Sequence, residues 1–218
     1  KHGTDYHKRF LEFVKMVQKE NFVIGGAMTD PKGDRSKGPS EQDDPDLFTR
    51  VVDTDDNGIY VSGAKAHQTG CINSHWILLM PTIRLTEADK DWAIVGAIPA
   101  DAKGVTYIYG RQSCDTRSME EGDIDDGNAK YGGQEALIIL DKVFIPWDKV
   151  FMHGEYEFAS MLVERFTCYH RRSYVCKTGL GDVLIGAAAT IADYNGVPKV
   201  SHIKDKIIEM THLNETIF

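Results

Sequence analysis

The sequence predicts an α+β fold in which one helix leads into a run of β-strands and further helices close the chain. Three observations carry that reading. Apolar residues recur at three- and four-residue spacing over 5–20. Segments rich in β-branched and aromatic residues, divided by Asp, Gly and Pro, run from 47 to about 150. Helical patterns return after Pro146.

In "DYHKRFLEFVKMVQKE" the residues Tyr6, Phe10, Phe13, Val14 and Val17 make one apolar face, with Lys and Glu outside. The glycines, prolines and charges of "GGAMTDPKGDRSKGPSEQDDPD" then end the helix. A polar loop of that length between structured segments points to function or mobility rather than to a plain linker. "DNG" at 56–58 predicts a hairpin turn, on the ground that Asn-Gly tolerates positive φ, and it opens the alternating strand "IYVSGAKA". "HWILLMPTIRL", "DWAIVGAIPA", "GVTYIYG" and "EALIILDKVFIP" follow as strands, with an acidic loop, "MEEGDIDDGN", before the last. No helix intervenes, so the expectation is an antiparallel sheet or barrel. Helices are expected over 155–176, 182–194 and 198–217, with turns at "TGLG" and "NGVP". The boundaries read as a helical domain end at 1–22, a β-domain at 23–152 and a helical domain from 153 to 218.

The 218 residues carry a net charge of −8, which supplies no basic footprint for nucleic acid or an anionic membrane surface. No apolar run approaches the roughly 20 residues that span a bilayer, so the expectation is a cytoplasmic protein with no membrane partner. Lys1 in place of Met and a last segment, "HLNETIF", inside a helical pattern point to a piece of a longer polypeptide. The four cysteines Cys71, Cys114, Cys168 and Cys176 form no CxxC pair. Buried thiols are the plain reading of each, and Cys176 stands apart because of its neighbours.

Four segments carry residues suited to chemistry. In "AMTDPKGDRS" the loop amides, Thr29 and Arg35 suit an anionic or polar cofactor edge, and ordinary loop chemistry is the competing reading. In "GAKAHQTGCINSH" His67, Gln68 and Thr69 end a strand, where alternation puts His67 and Thr69 on one face. A surface strand end explains that equally well, and His75 reads as a histidine satisfied by a neighbour. In "YGGQEALIIL" Glu135 opens an apolar strand, where partial desolvation would suit a carboxylate to proton transfer; a solvated Glu is the alternative. In "YHRRSYVCK" a continuous helix would put His170, Tyr174 and Lys177 on one face and Cys176 about 120° from His170. A regular helix would not aim both at one metal. The plain alternative is a basic helix face.

Taken in order, "AMTDPKGDR", "GAKAHQTG", "INSH", "MPT", "EADKD", "YGRQSCDTR", "GGQEAL", "FIP", "YHRRSY" with "CK", "IGAAA", "ADYNG" and "IEMTHLNET" closely resemble the 4-hydroxybutyryl-CoA dehydratase family, whose members also isomerise vinylacetyl-CoA. The resemblance runs from Tyr6 to Phe218. It implies the acyl-CoA dehydrogenase-like fold of N-terminal helices, central β-domain and C-terminal helical bundle. It also implies FAD, a [4Fe-4S] cluster, a homotetramer, and conversion of 4-hydroxybutyryl-CoA to crotonyl-CoA by a radical route.

Carried over residue by residue, His170 resembles the cluster's histidine ligand and the base for the α-proton, and Cys176 a cluster cysteine. Tyr174, Lys177 and Glu135 resemble active-site residues. Thr69 resembles the flavin-contacting threonine, and Met28, Thr29, Asp30, Arg35, His67 and Gln68 fall in the flavin-binding segments. Two departures stand against the pattern. Only five residues separate His170 from Cys176, one fewer than in the family. The family's other two cluster cysteines and a further glutamate match no position here, so the isolated segment is expected to be inactive. The alternatives are a flavin-dependent aromatic hydroxylase of the 4-hydroxyphenylacetate type, which shares the fold and an "MTDP"-like loop, and a non-catalytic relative.

Overall fold

The computed structural model describes residues 3–109, 135–170 and 173–217, which fall into two compact units, 1–163 and 164–218. The acidic loop and Cys114 lie outside the described residues.

The first unit opens with helix α1 (Tyr6–Glu20), as the apolar spacing requires. Eight strands follow: β1 (Ile24–Ala27), β2 (Arg50–Thr54), β3 (Gly58–Thr69), β4 (Trp76–Leu79), β5 (Ile94–Pro99), β6 (Val105–Tyr109), β7 (Glu135–Pro146) and β8 (Val150–His153). They form two four-stranded sheets, ordered β1-β4-β5-β8 and β2-β3-β7-β6. Every described pairing is antiparallel except β1–β4, which is parallel and corrects the all-antiparallel expectation. The chain leaves β1, builds β2 and β3 in the other sheet, and returns to β4 in the same direction; a parallel pair needs such a crossover.

Strand alternation sorts side chains between two cores. On β4, Ile77 and Leu79 join Ile59, Val61, Ile138 and Ile145 in the core between the sheets. Trp76 and Leu78 point the other way, onto Phe13 and Val17 of α1 and Phe151 of β8. β5 divides likewise, Ile94 and Ile98 to one side and Val95 and Ala97 to the other. The sheet containing β1 is therefore covered on both faces. Burying each such large apolar side chain contributes roughly 1.5–3 kcal/mol.

The β2–β3 hairpin is where expected but has a different cause. Neither Asn57 nor Gly58 takes positive φ. The turn is instead held by Asp55, whose Oδ1 accepts from the backbone N–H of Asn57 (2.7 Å) and of Gly58 (3.0 Å). Gly58 is required by space, since a Cβ there would lie 2.2 Å from the Ile145 carbonyl oxygen. The long polar loop is ordered too. Asp89, buried, accepts from the Ser40 amide and hydroxyl (3.0 and 2.6 Å) and from the Thr86 amide and hydroxyl (3.0 and 2.7 Å). Burial pushes its carboxyl pKa up, but those donors outweigh burial and hold it below the usual carboxylate value.

Three helices end the chain: α2 (Ala159–His170), α3 (Tyr174–Tyr194) and α4 (Ser201–Ile217). The expected break at "TGLG" is absent, because α3 runs through it. Gly181 serves helix contact instead of a turn. A Cβ there would lie 2.0 Å from Asn214 Oδ1 of α4. Asn214 Nδ2 donates to the Thr178 carbonyl (3.2 Å) and to Asp182 (2.8 Å). The break falls earlier, with α2 ending at His170 and Ser173 in the N-cap position of α3. This uninterrupted α3, 21 residues long, is long and apolar enough to cross a membrane, which corrects the reading that no such segment exists. The sequence estimate was short because it took the glycines for a turn.

Gly63 on β3 has φ +130°, and a Cβ there would meet the Phe48 carbonyl oxygen at 2.5 Å and Thr49 Cα at 2.6 Å. Both obstacles are backbone, so nothing can swing aside. Gly63→Ala is expected to lower the unfolding free energy by at least about 2 kcal/mol in urea denaturation. An unchanged midpoint would contradict this account of β3.

Candidate functional site

Residues 28–30 leave the end of β1 and pass along β3, where two buried polar side chains hold them. Lys65 sits on β3 with 2% of its surface exposed. Its Nζ donates to Asp30 Oδ1 (2.6 Å), the Met28 carbonyl (3.1 Å) and the Met80 carbonyl (2.7 Å). All three ammonium protons are used. The second Asp30 oxygen accepts from the Thr82 hydroxyl (2.7 Å). Burial pulls the Lys65 pKa down, and the Asp30 carboxylate opposes that shift.

Gln68, also buried, grips the loop one turn of strand further on. Its Oε1 accepts from the Met28 amide (3.1 Å), and its Nε2 donates to the Thr29 carbonyl (2.8 Å) and to the Ala66 carbonyl. The Ala66 amide adds a bond to the Thr29 carbonyl (2.8 Å). Thus the Met28 amide and carbonyl and the Thr29 carbonyl are spoken for, while both side chains stay half-buried.

A β-bulge sets this geometry. The β3–β7 register shifts between Lys65 and Gln68, and His67 takes φ +56°. Lys65 and Ala66 are both buried, which plain alternation forbids; beyond the bulge Gln68 turns in, and His67 and Thr69 are exposed. His67 and Thr69 share one face, as alternation predicts, and that face is exposed. Thr69 pairs with Glu135 across the strands, and its hydroxyl donates to Glu135 Oε1 (2.8 Å). Glu135 is exposed, which corrects its expected desolvation. It is the first residue of β7, on the outward side, where the interior core does not reach it.

Arg35 is exposed on the loop after Asp30. His75 is satisfied locally: Nδ1 accepts from the Val23 amide (3.0 Å) and the ring lies 5.0 Å from Phe22. Cys71 fits the plain reading, fully buried with its thiol pushed up to about 11 by burial.

In the second unit His170 ends α2 with its ring stacked on Phe166, centroids 5.3 Å apart and planes 17° from parallel. Tyr174, Cys176 and Lys177 lie on the first turn of α3, all exposed. Helical increments put Lys177 about 60° from Tyr174, and Cys176 about 160° from it. His170 and Cys176 stand on different helices, so the offset calculated for one continuous helix does not apply. Among the described residues no group of three or more His, Cys, Asp or Glu gathers as a metal site.

The sequence reading passed over Lys65, Thr82 and Asn214. A lysine flanked by small residues in a strand otherwise fit for burial was the available signal for Lys65. Nothing local marks Asn214, whose role depends on Gly181 33 positions earlier.

Family models for 4-hydroxyphenylacetate 3-hydroxylase match both parts, the N-terminal model over residues 1–152 and the C-terminal model over 159–218. The chain belongs to the 4-hydroxyphenylacetate 3-hydroxylase family. Within it, the chain is 63% identical along its whole length to 4-hydroxybutyryl-CoA dehydratase/vinylacetyl-CoA-Delta-isomerase of Clostridium aminobutyricum, spanning 45% of that protein. A solved structure of an oxygen-tolerant archaeal 4-hydroxybutyryl-CoA dehydratase from N. maritimus is 95% identical over 99% of this chain and 43% of that one, with a TM-score of 0.83.

The HpaB oxygenase component of 4-hydroxyphenylacetate 3-monooxygenase, solved with FAD, shares the fold at TM-score 0.77 and 22% identity, over 98% of this chain and 44% of that one. An acyl-CoA dehydrogenase from Geobacillus kaustophilus aligns at TM-score 0.59 and 14% identity, over 94% and 50%. The acyl-CoA dehydrogenase-like fold is thereby established. The chain spans under half the length of the dehydratases it matches.

The bulge makes position 67 a test of the site's backbone. His67→Val, β-branched at positive φ, is expected to cost about 1–2 kcal/mol, whereas His67→Gly is expected to cost nothing or to stabilise slightly. Urea unfolding of both variants checks the order; Val matching Gly would contradict the left-handed assignment.

Proposed function

We propose that this chain is the part of a 4-hydroxybutyryl-CoA dehydratase that holds the flavin edge and the proton-transfer residues, acting within a longer polypeptide. The identity to the dehydratase along all 218 residues carries the reading. The enzyme is a lyase with isomerase activity on CoA esters, forming crotonyl-CoA in the cytoplasm as a homotetramer.

The residues present fit FAD. Met28, Thr29, His67 and Thr69 form a polar, partly open edge whose backbone is already fixed by Lys65 and Gln68. The Thr29 and Thr69 hydroxyls and the His67 imidazole suit the mixed donor–acceptor rim of an isoalloxazine, Met28 offers it an apolar contact, and exposed Arg35 suits an anionic part of the cofactor. When bound, FAD supplies the one-electron chemistry that makes an otherwise inert β-hydrogen removable.

The residues present do not by themselves fit a [4Fe-4S] cluster. The resemblance assigns it two donors, His170 and Cys176, where four are needed, and among the described residues no group of three or more His, Cys, Asp or Glu gathers. In the longer enzyme these two are its ligands from this segment.

The chain's own part is orientation and proton handling. His170 takes the α-proton of the thioester, with its ring plane set by the Phe166 stack. Tyr174 and Lys177 place a hydroxyl and an ammonium on the neighbouring helix start, suited to orienting the thioester carbonyl. Glu135, its carboxylate steadied by Thr69, is the second proton-handling group.

The test uses the full-length protein purified without oxygen. Incubation with 4-hydroxybutyryl-CoA is expected to give crotonyl-CoA, with iron, sulfide and FAD in the protein. Absence of iron and sulfide together with hydroxylation of a phenol would instead establish the aromatic hydroxylase reading. His170→Ala is expected to lower dehydration about 10²-fold or more while FAD stays bound. Undiminished turnover would remove His170 from the mechanism.

A further inference from the structure

Lys65 takes no part in the chemistry proposed above. It lies under the loop at 28–30, and its three acceptors come from three places. Asp30 and the Met28 carbonyl belong to the loop after β1, and the Met80 carbonyl follows β4. Lys65 itself stands on β3, in the other sheet. One ammonium therefore fixes the end of β1 and the end of β4 against β3, beside half-buried Thr29 and on the strand that presents His67 and Thr69 to solvent.

We infer that Lys65 is a positioning residue for the flavin edge, setting where Met28 and Thr29 present themselves while touching no ligand. The inference rests on the flavin reading above for its ligand, and on the hydrogen-bond geometry alone for its effect on the loop. A simple core staple would hold the sheets together, and any filling of equal volume and polarity balance would replace it. A positioning lysine differs, because the Met28 and Met80 carbonyls lose their donor whatever fills the space.

Two variants separate these roles in the full-length protein. Lys65→Met leaves the Asp30 carboxylate buried without its counter-ion and is expected to lower the melting temperature strongly. Lys65→Met with Asp30→Leu removes both charges with side chains of similar shape, and most of the lost stability is expected to return. In the double variant FAD is nevertheless expected to bind at least tenfold more weakly, read by quenching of flavin fluorescence. In the absence of FAD, the amides of Met28 and Met80 are expected to exchange with deuterium at least tenfold faster than in the parent.

Recovery of both melting temperature and FAD affinity in the double variant would overturn the inference and leave Lys65 a staple. Unchanged exchange at Met28 and Met80 would overturn it as well. A parent protein that binds no FAD would defeat the flavin reading, and exchange would still decide the role of Lys65 in placing the loop.

Discussion

The first unit depends on one buried ion pair. Taking an ammonium and a carboxylate out of water costs several kcal/mol each, and their attraction repays it only when the remaining protons and lone pairs are also satisfied. Lys65 and Asp30 meet that condition: three acceptors surround Nζ, and Thr82 takes the second carboxylate oxygen. The pair therefore adds little net stability over an apolar filling, but it permits only one arrangement of the segments it joins. Those segments belong to opposite sheets, so the loop that leaves β1 cannot slide without exposing a bare charge. Gln68 grips the same loop through the Met28 amide and the Thr29 carbonyl. With the inner hydrogen-bonding capacity spent, what faces outward is a short polar edge of fixed position.

That edge exists because β3 breaks its own alternation. Two residues without a glycine's freedom, His67 on β3 and Lys142 on β7, take positive φ, and each sits at a register shift of the β3–β7 ladder. The first shift lets Lys65, Ala66 and Gln68 all face inward, and leaves Thr69 outward opposite Glu135. An unbulged strand would place Lys65 on the same face as His67 and Thr69, in solvent, and the loop would lose its anchor.

The elements with strong periodicity were legible in the sequence. α1 follows from five apolar residues at helical spacing, and β4 and β5 from β-branched and aromatic runs bounded by Asp, Gly and Pro, whose side chains the two cores divide between them. What escaped notice was set by partners distant in sequence. "TGLG" reads as a turn until Asn214 is known to press on Gly181, and "DNG" reads as a positive-φ turn until Asp55 is seen holding it. The candidate site was legible in its outward residues, which the motifs name. Its foundation was not, since a strand lysine counts as surface until three acceptors are found beneath it.

The fold shared with the hydroxylases does not by itself separate the proposed dehydratase from them. The bulged β-scaffold fits either reading, so it cannot distinguish them. The groups on which the proposed dehydratase reading turns are His170 and Cys176, at the end of α2 and the start of α3. In a continuous helix, removing one residue between them rotates one against the other by about 100°. His170 and Cys176 stand on different helices, His170 with its ring stacked on Phe166 and α3 tied to α4 beyond its first turn, where Asn214 donates to Thr178 and Asp182. The offset calculated for one continuous helix therefore says nothing of how the two side chains stand to each other, and among the described residues no group of three or more His, Cys, Asp or Glu gathers as a metal site.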